Sequence, residues 1–146
     1  MTAAQGLAAR ALLVPILALV GLTYSTAAAI LVTRLSDILS RGNEAAFYED
    51  YAGGGPPAVR RMTSQLVNLF EFPVLFLAVV CLAVACGFND RPLRELAWAY
   101  VVLRWAHAII RITPKLNRLW LRTPIFMLSN FVLLAMWIEL TLKLAR

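Results

Sequence analysis

Residues 65–80, QLVNLFEFPVLFLAVV, form an apolar run that carries Asn68 and Glu71 near its middle. A second apolar run, WAYVVLRWAHAII at residues 98–110, carries Arg104 and His107 in the same way. A carboxylate, a guanidinium or an imidazole inside hydrocarbon has a high free-energy cost, so such groups normally face the interior of a helix bundle or a functional site. We therefore expect the function of this protein to depend on these four residues.

The composition around these runs is that of a membrane protein. Of the 146 residues, 61% are hydrophobic and 15% are charged, and the mean hydropathy is +0.73. Soluble domains contain roughly 45–50% apolar and about 25% charged residues. The apolar runs show no strand-like alternation, and a chain in lipid must satisfy its backbone internally, so the predicted class is an all-α bundle of transmembrane helices.

The net charge of +6 does not indicate a nucleic-acid partner. The basic residues cluster at the ends of the apolar segments, where membrane orientation and lipid headgroups explain them. Membrane lipid is therefore an expected partner and nucleic acid is not.

Four spans are predicted within a single membrane domain that covers residues 1–146. The first begins like a signal peptide but stays apolar too long for a cleaved one, and Pro15 should kink it without ending it. Gly87 and Pro92 supply the stop signal of the second span. The third follows this tight connection and should lie antiparallel beside the second. The predicted spans are residues 7–35, 61–87, 93–113 and 124–144, with a long cytoplasmic loop at residues 36–60.

The distribution of Lys and Arg predicts the orientation of the spans. The first and third loops carry eight, namely Arg34, Arg41, Arg60, Arg61, Arg111, Lys115, Arg118 and Arg122. The N-terminus, the second loop and the C-terminus carry five, namely Arg10, Arg91, Arg94, Lys143 and Arg146. The positive-inside rule then places both termini outside and the first and third loops in the cytoplasm.

The two cysteines and Glu139 are predicted to lie outside any site, and no metal site is predicted. Cys81 and Cys86 are five residues apart on one helix and point roughly 140° away from each other, so they cannot pair and are expected to be small buried hydrophobes. His107 is the only histidine, so no metal-ligand spacing exists and no metal site is predicted. Glu139, four residues before Lys143, is interpreted as part of a solvated helix end.

The polar residues of the second and third spans are predicted to meet. Glu71 lies about 15 Å from the cytoplasmic start of its helix, and Arg104 about 13 Å from the cytoplasmic end of the next. Asn68 and His107 lie one turn nearer the cytoplasm, and i, i+3 spacing puts each pair on one face.

This polar face extends toward the cytoplasm through Ser64 on the second span and Arg111 on the third, with Tyr100 one turn deeper. We predict a polar groove that opens to the cytoplasm. The alternative is that Glu71 and Arg104 only hold two helices together. Interhelical polar contacts in membranes often stabilise a bundle by only about 1 kcal/mol. This gain is small beside the free-energy cost of burying a charge pair, so a functional site is favoured.

Two segments resemble motifs of a known family. Asn68-Leu69-Phe70-Glu71-Phe72-Pro73 is similar to the Asn-x-x-Glu-x-x-Pro-type signature of the MAPEG family, the membrane-associated proteins of eicosanoid and glutathione metabolism. Leu103-Arg104-Trp105-Ala106-His107 is similar to the family's Arg-x-x-His segment. The chain length, the four spans, the long first loop and the tight second loop agree with a bacterial-type member.

The resemblance implies a homotrimer of four-helix subunits that binds glutathione, as co-substrate, in a groove between neighbouring subunits on the cytoplasmic side. It assigns Asn68, Glu71, Arg104 and His107 to glutathione contacts or the groove lining, and Arg111 continues their stripe. Arg122 corresponds to the arginine that stabilises the thiolate in catalytic members. Such a role is chemically sound, since a free thiol titrates near about 8.5 and a neighbouring guanidinium lowers that pKa.

The chain departs from the catalytic members of the family at three positions. Ser64 stands where members that make leukotriene or prostaglandin have an arginine, although Arg60 or Arg61 lies one turn further out. Arg111 and Phe126 stand where tyrosines are common, so two hydroxyl donors are missing from the expected groove.

Three functions remain open at this point. The leading hypothesis is a glutathione-dependent transferase or peroxidase of the bacterial inner membrane, acting on hydrophobic electrophiles or lipid hydroperoxides that enter from the bilayer. The second is a catalytically silent membrane binding or scaffold protein with the same fold. The third is a transporter, because buried Glu, Arg and His can relay protons; four unbroken helices without paired repeats argue against it.

Overall fold

The computed structural model describes the backbone of residues 3–41 and 56–145, and the side chains of residues 11–40 and 56–145. Within these ranges the protein is all-α, as predicted. Its helices are α1 (Ala3–Arg41), α2 (Pro57–Leu69), α3 (Phe72–Ala85), α4 (Arg91–Ile112) and α5 (Leu119–Leu144). α2 and α3 are two parts of one span, Pro57–Ala85. The five helices therefore form four long helical units, which we call rods, in the number that the sequence predicts.

The rods begin and end at other residues than predicted. The first continues past residue 35 to Arg41, and the second begins at Pro57, one turn before residue 61. The predicted loop is therefore helical at both of its ends, and its residues 42–55 lie outside the described residues. The fourth rod begins at Leu119 and contains Pro124. The proline removes only the bond to the carbonyl of Trp120, so the helix passes through it, as α1 does at Pro15.

Three of the rods are long and apolar enough to cross a membrane, namely Ala11–Ser40, Pro57–Ala85 and Leu119–Leu144. The remaining rod, α4, has 22 residues, which corresponds to about 33 Å, a sufficient length for the predicted third span. Its charged residues make it less apolar than the other three. It packs against α5, α1 and α2, so the buried groups on it face the interior of the bundle.

The second span is interrupted at Phe70 and Glu71, and the prediction of an unbroken helix is wrong. Pro73 has no N–H for the carbonyl of Leu69 and its ring crowds that oxygen, and here, unlike at Pro15 and Pro124, the regular helical bonding stops between Leu69 and Phe72. The N–H of Phe70 donates instead to the carbonyl of Val67 at 2.9 Å. Glu71 leaves helical geometry, with φ −88° and ψ −98°.

The turn between α3 and α4 is as tight as predicted. Gly87 has φ +76°, a left-handed conformation that glycine adopts without steric cost. Phe88 donates its N–H to the carbonyl of Ala83 at 2.8 Å, and Gly87 donates to that of Val84 at 3.1 Å. This pair of bonds is a Schellman motif, and it reverses the chain so that α4 returns beside α2.

At the same end of the bundle, Lys143 lies between two carboxylates. Its Nζ is 2.9 Å from Asp90 Oδ2 and 3.2 Å from Glu139 Oε1. All three side chains are partly exposed, so the pairing of Glu139 with Lys143 agrees with the predicted solvated helix end.

The core and the outer surface are both apolar. Phe76 and Tyr100 stack at 4.7 Å in the core, among buried leucines and valines of α1, α3, α4 and α5. Large apolar side chains are also exposed along every rod, as expected where lipid is the solvent. Cys81 and Cys86 lie on this outer surface as free thiols. The prediction that they are buried is wrong, because both point away from the core within the protomer.

Candidate functional site

Arg104 is the centre of a buried polar network that joins three helices. Its side chain, on α4, is 0% exposed. Its Nε donates to the hydroxyl of Tyr100 at 3.0 Å, and its two terminal nitrogens donate to the Oδ1 atoms of Asn68 on α2, at 3.1 Å, and Asn130 on α5, at 3.0 Å. The network therefore fixes the relative positions of α2, α4 and α5.

Aromatic rings complete the surroundings of this guanidinium. Its central carbon lies 5.8 Å from the ring centre of Phe72, 5.1 Å from Tyr100 and 5.3 Å from Phe126. These distances fall within the range of cation–π attraction. Among the described residues Arg104 forms no ion pair, so its charge is stabilised by neutral oxygens and ring faces.

Glu71 is not the direct partner of Arg104, and the expected charge pair does not form within the protomer. The side chain of Glu71 is exposed and accepts a hydrogen bond from Asn68 Nδ2 at 3.4 Å. Asn68 thus links the two, accepting from Arg104 through Oδ1 and donating to Glu71 through Nδ2. The interruption at Phe70 and Glu71 explains the difference, because it takes Glu71 off the helical face that carries Asn68.

His107 is buried beside this network without joining it. It is 2% exposed, and its ring lies 5.5 Å from that of Phe126. Its Nδ1 makes no hydrogen bond to any described residue. The ring of Phe126 lies beside both His107 and Arg104 and also meets Phe72 edge-on at 5.6 Å.

A second group of residues forms a cationic cavity of about 350 Å³ at the end of the bundle where α2 and α5 begin and α4 ends. We call it the arginine pocket. Four arginines line it together with neutral residues: Arg60, Arg61, Arg111 and Arg122, with Pro57, Ser64 and Asn117. No carboxylate belongs to the lining. Four neighbouring guanidinium groups favour an anion in this cavity, and Glu71 attracts the charge of Arg111.

Two of the four arginines are held in place by neutral neighbours. Arg111 donates to the hydroxyl of Ser64, and Arg122 donates to Asn117 Oδ1 at 3.3 Å. The first contact confirms that the polar faces of the second and third spans meet, since Ser64 and Arg111 extend those faces toward the predicted cytoplasmic side.

The predicted site residues therefore fall into two connected levels. Arg111 and Arg122 line the arginine pocket, while Asn68, Glu71 and Arg104 form a hydrogen-bonded chain deeper in the bundle. His107 lies between them without a polar contact. Asn130 is the main residue that sequence reasoning missed. An amide inside the apolar run of the fourth span is the same signal that identifies Asn68.

An apolar groove lies between α1 and the interrupted span. Its volume is about 350 Å³, and its lining includes Leu19, Tyr24, Leu66, Phe70, Pro73 and Leu77. Thr23 and Tyr24 are the only polar side chains in the lining. Within the described part of the chain, no group of three or more His, Cys, Asp and Glu residues could hold a metal ion.

Comparison with known proteins gives a clear assignment at the level of the family. The profile of the MAPEG family matches residues 12–142, which includes α2, α3 and α4, most of α1 and α5, and both levels of the site. No curated protein and no solved structure matches the chain significantly. With three apolar spans among the described residues, the protein is a multi-pass integral membrane protein. The chain belongs to the MAPEG family.

Proposed function

We propose that this protein is a glutathione-dependent membrane transferase or peroxidase that acts on hydrophobic electrophiles or lipid hydroperoxides. The observation that carries the proposal is the arginine pocket, four guanidinium groups without a carboxylate at one end of an apolar bundle. Glutathione carries two carboxylates and a thiol, and guanidinium groups bind carboxylates with paired hydrogen bonds. Proteins of this family typically use glutathione in such reactions.

Arg122 is the residue to which we assign stabilisation of the thiolate. Its guanidinium lines the pocket and is oriented by Asn117. A neighbouring cation favours the thiolate over the thiol and so lowers the pKa of the sulfur. The thiolate is the nucleophile in both proposed reactions.

The two reactions differ in what the thiolate attacks. In the transfer, the sulfur forms a bond to an electrophilic carbon and displaces a leaving group. In the peroxidase reaction, the sulfur attacks the outer oxygen of a hydroperoxide, the O–O bond breaks, and the alcohol leaves with a proton. The sulfenic acid then reacts with a second glutathione, giving the disulfide and water.

We also propose that the site is completed in a homotrimer. Glu71 is exposed in the middle of an apolar span, beside exposed Val67, Phe70 and Val74. A carboxylate that faces lipid is costly, so a neighbouring copy that covers this surface would remove the cost. Such a copy would place its own residues next to Asn68 and Glu71. By the distribution of basic residues, the pocket faces the cytoplasm.

A turnover assay with glutathione and a generic electrophile in detergent tests the proposed activity. Wild-type protein is expected to show a rate that saturates with glutathione, and Arg122→Ala is expected to lose roughly 10- to 100-fold of it. Arg118→Ala is the matched control, an exposed arginine at the same end that does not line the pocket. If wild type and Arg122→Ala share one background rate, the proposal fails.

A catalytically silent binding or scaffold protein is the second candidate, and Phe126 is the observation that favours it. Its ring packs on Arg104 and His107 at the position where catalytic relatives commonly have a hydroxyl. On this alternative, Glu71→Gln and Arg104→Ala would weaken the oligomer while turnover stays at background in every variant.

The expectation of unbroken helices argued against a transporter, and the interrupted second span removes this argument. Transporters built from inverted repeats have interrupted helices in matching pairs. Among the described helices this span has no counterpart, so we do not favour transport. Flux into proteoliposomes that disappears in His107→Ala would change that assignment.

A further inference from the structure

Two arginines of the arginine pocket have side chains without a partner among the described residues. Arg60 is exposed and Arg61 is partly buried, and neither donates a side-chain hydrogen bond or forms an ion pair with a described residue. The Nε of Arg61 is buried without a hydrogen bond. The other two arginines donate their hydrogen bonds to the neutral Ser64 and Asn117. The pocket therefore has donors and positive charge that its own residues do not use.

Exposed apolar residues around the pocket favour a position of this end of the bundle at the membrane surface. Between Asn117 and Arg122, which both line the pocket, Leu119 and Trp120 are each 68% exposed. Leu116, just before Asn117, is also exposed. Large apolar side chains in this number are unfavourable in water, whereas tryptophan is enriched at the level of lipid headgroups. An anion that reaches the pocket from the lipid side can keep its acyl chains beside these residues.

We propose that the arginine pocket binds the phosphate headgroup of an anionic phospholipid. Basic pockets between helices at the cytoplasmic face are suited to such headgroups, and a guanidinium pairs with phosphate oxygens through parallel hydrogen bonds. The exposed Leu119 and Trp120 favour a lipid over free phosphate as the source of the anion. If the proposed function holds, the lipid competes with glutathione, and this consequence alone rests on that function.

Native mass spectrometry of the purified protein in detergent tests the binding directly. The protein is titrated with phosphatidylglycerol and, separately, with phosphatidylcholine of the same acyl chains. We expect wild type to bind phosphatidylglycerol more tightly, and Arg60→Gln/Arg61→Gln to weaken that binding roughly 10-fold or more. These substitutions break no side-chain contact, so the fold should be kept.

The matched control removes two positive charges at the same end without touching the pocket. Lys115 and Arg118 are exposed and do not line it, so Lys115→Gln/Arg118→Gln should retain the preference for phosphatidylglycerol. Equal losses in the two double variants would overturn the proposal, because general surface charge would then explain the binding. Equal affinity for both lipids would also overturn it.

Two further arms identify the ligand and separate the two proposals. Displacement of phosphatidylglycerol by inorganic phosphate at equal concentration would overturn the assignment to a lipid; retention of the lipid supports it. In the turnover assay, phosphatidylglycerol should raise KM for glutathione and leave kcat unchanged. Lipid binding without turnover would contradict the proposed function alone, and turnover without selective lipid binding would contradict this inference alone.

Discussion

The guanidinium of Arg104 is buried without an ion pair to any described residue, and the number of its donors explains how this is possible. Arginine has five N–H groups in a fixed plane, and three side-chain oxygens accept from them. Three aromatic rings cover the rest. A buried cation is tolerated when its donors are satisfied, so Asn68, Tyr100 and Asn130 act as parts of one unit.

Loss of one acceptor should therefore destabilise the protein. Asn130→Ala is expected to lower the free energy of unfolding by about 1–2 kcal/mol, because one terminal nitrogen of Arg104 is left without its acceptor. Thermal unfolding in detergent measures the change. Thr141→Ala on the same helix is the control, since this exposed hydroxyl bonds only to the carbonyl of Trp137. Equal effects of the two substitutions would argue against a central role for the network.

At the level of single residues, the sequence predicts which side chains are important better than it predicts their partners. The cost of polar groups in lipid identifies Asn68 and Arg104. Helical spacing matches Asn68 in depth with His107, but the structure bonds it to Arg104. Helical spacing also predicts that Glu71 faces Arg104, and this fails because it assumes an unbroken helix. The preference of Arg104 for neutral acceptors cannot be derived from spacing, since it depends on Asn130 in a distant part of the sequence.

The interrupted span is the element on which the geometry of the site depends. Pro73 ends the regular hydrogen bonding between α2 and α3, and Glu71 takes a non-helical conformation just before it. A straight helix would carry Glu71 on the same face as Asn68. The interruption instead leaves Glu71 exposed, where a neighbouring copy or a ligand can reach it.

Restoring the helix should separate stability from function. Pro73→Ala allows an N–H to bond to the carbonyl of Leu69, so we expect unchanged or higher thermal stability together with lower glutathione turnover, since Glu71 changes its direction. Both quantities are measured on the same preparation in detergent. Pro92→Ala is the control, since Pro92 lies in the first turn of α4, where no helical bond is lost. Full turnover in Pro73→Ala would show that the interruption is not required.

At the level of elements, composition predicts the class and number of the rods, because the cost of unpaired backbone groups in lipid leaves few alternatives. Their ends are predicted less well. Pro124 predicts a helix start near residue 124, but α5 begins at Leu119 and passes through the proline. One proline costs a helix a single hydrogen bond, and contacts with neighbouring helices can compensate for that loss.

The whole molecule has polar groups at both ends and an apolar surface between them, with Glu71 as an exception. The arginine pocket lies at one end, and the contacts of Lys143 with Asp90 and Glu139 lie at the other. An exposed carboxylate in the middle of a span is not stable against lipid. This position is the strongest indication on the protomer that another copy covers the surface around it.

The oligomer should therefore respond to Glu71 and not to carboxylates elsewhere. Native mass spectrometry is expected to give a trimer for wild type and a larger share of monomer for Glu71→Gln, if a neighbouring copy donates to this carboxylate. Glu95→Gln is the matched control, since Glu95 pairs only with the exposed Arg91 at 2.7 Å. An unchanged trimer in Glu71→Gln, or a wild-type monomer, would contradict this assignment.

The most direct test of the central claim is calorimetric titration of the purified protein with glutathione. If the arginine pocket binds glutathione, wild type gives a saturable heat, Arg111→Gln/Arg122→Gln abolishes it, and Lys115→Gln/Arg118→Gln retains it. A wild-type titration without saturation, or equal binding by both double variants, would contradict the claim.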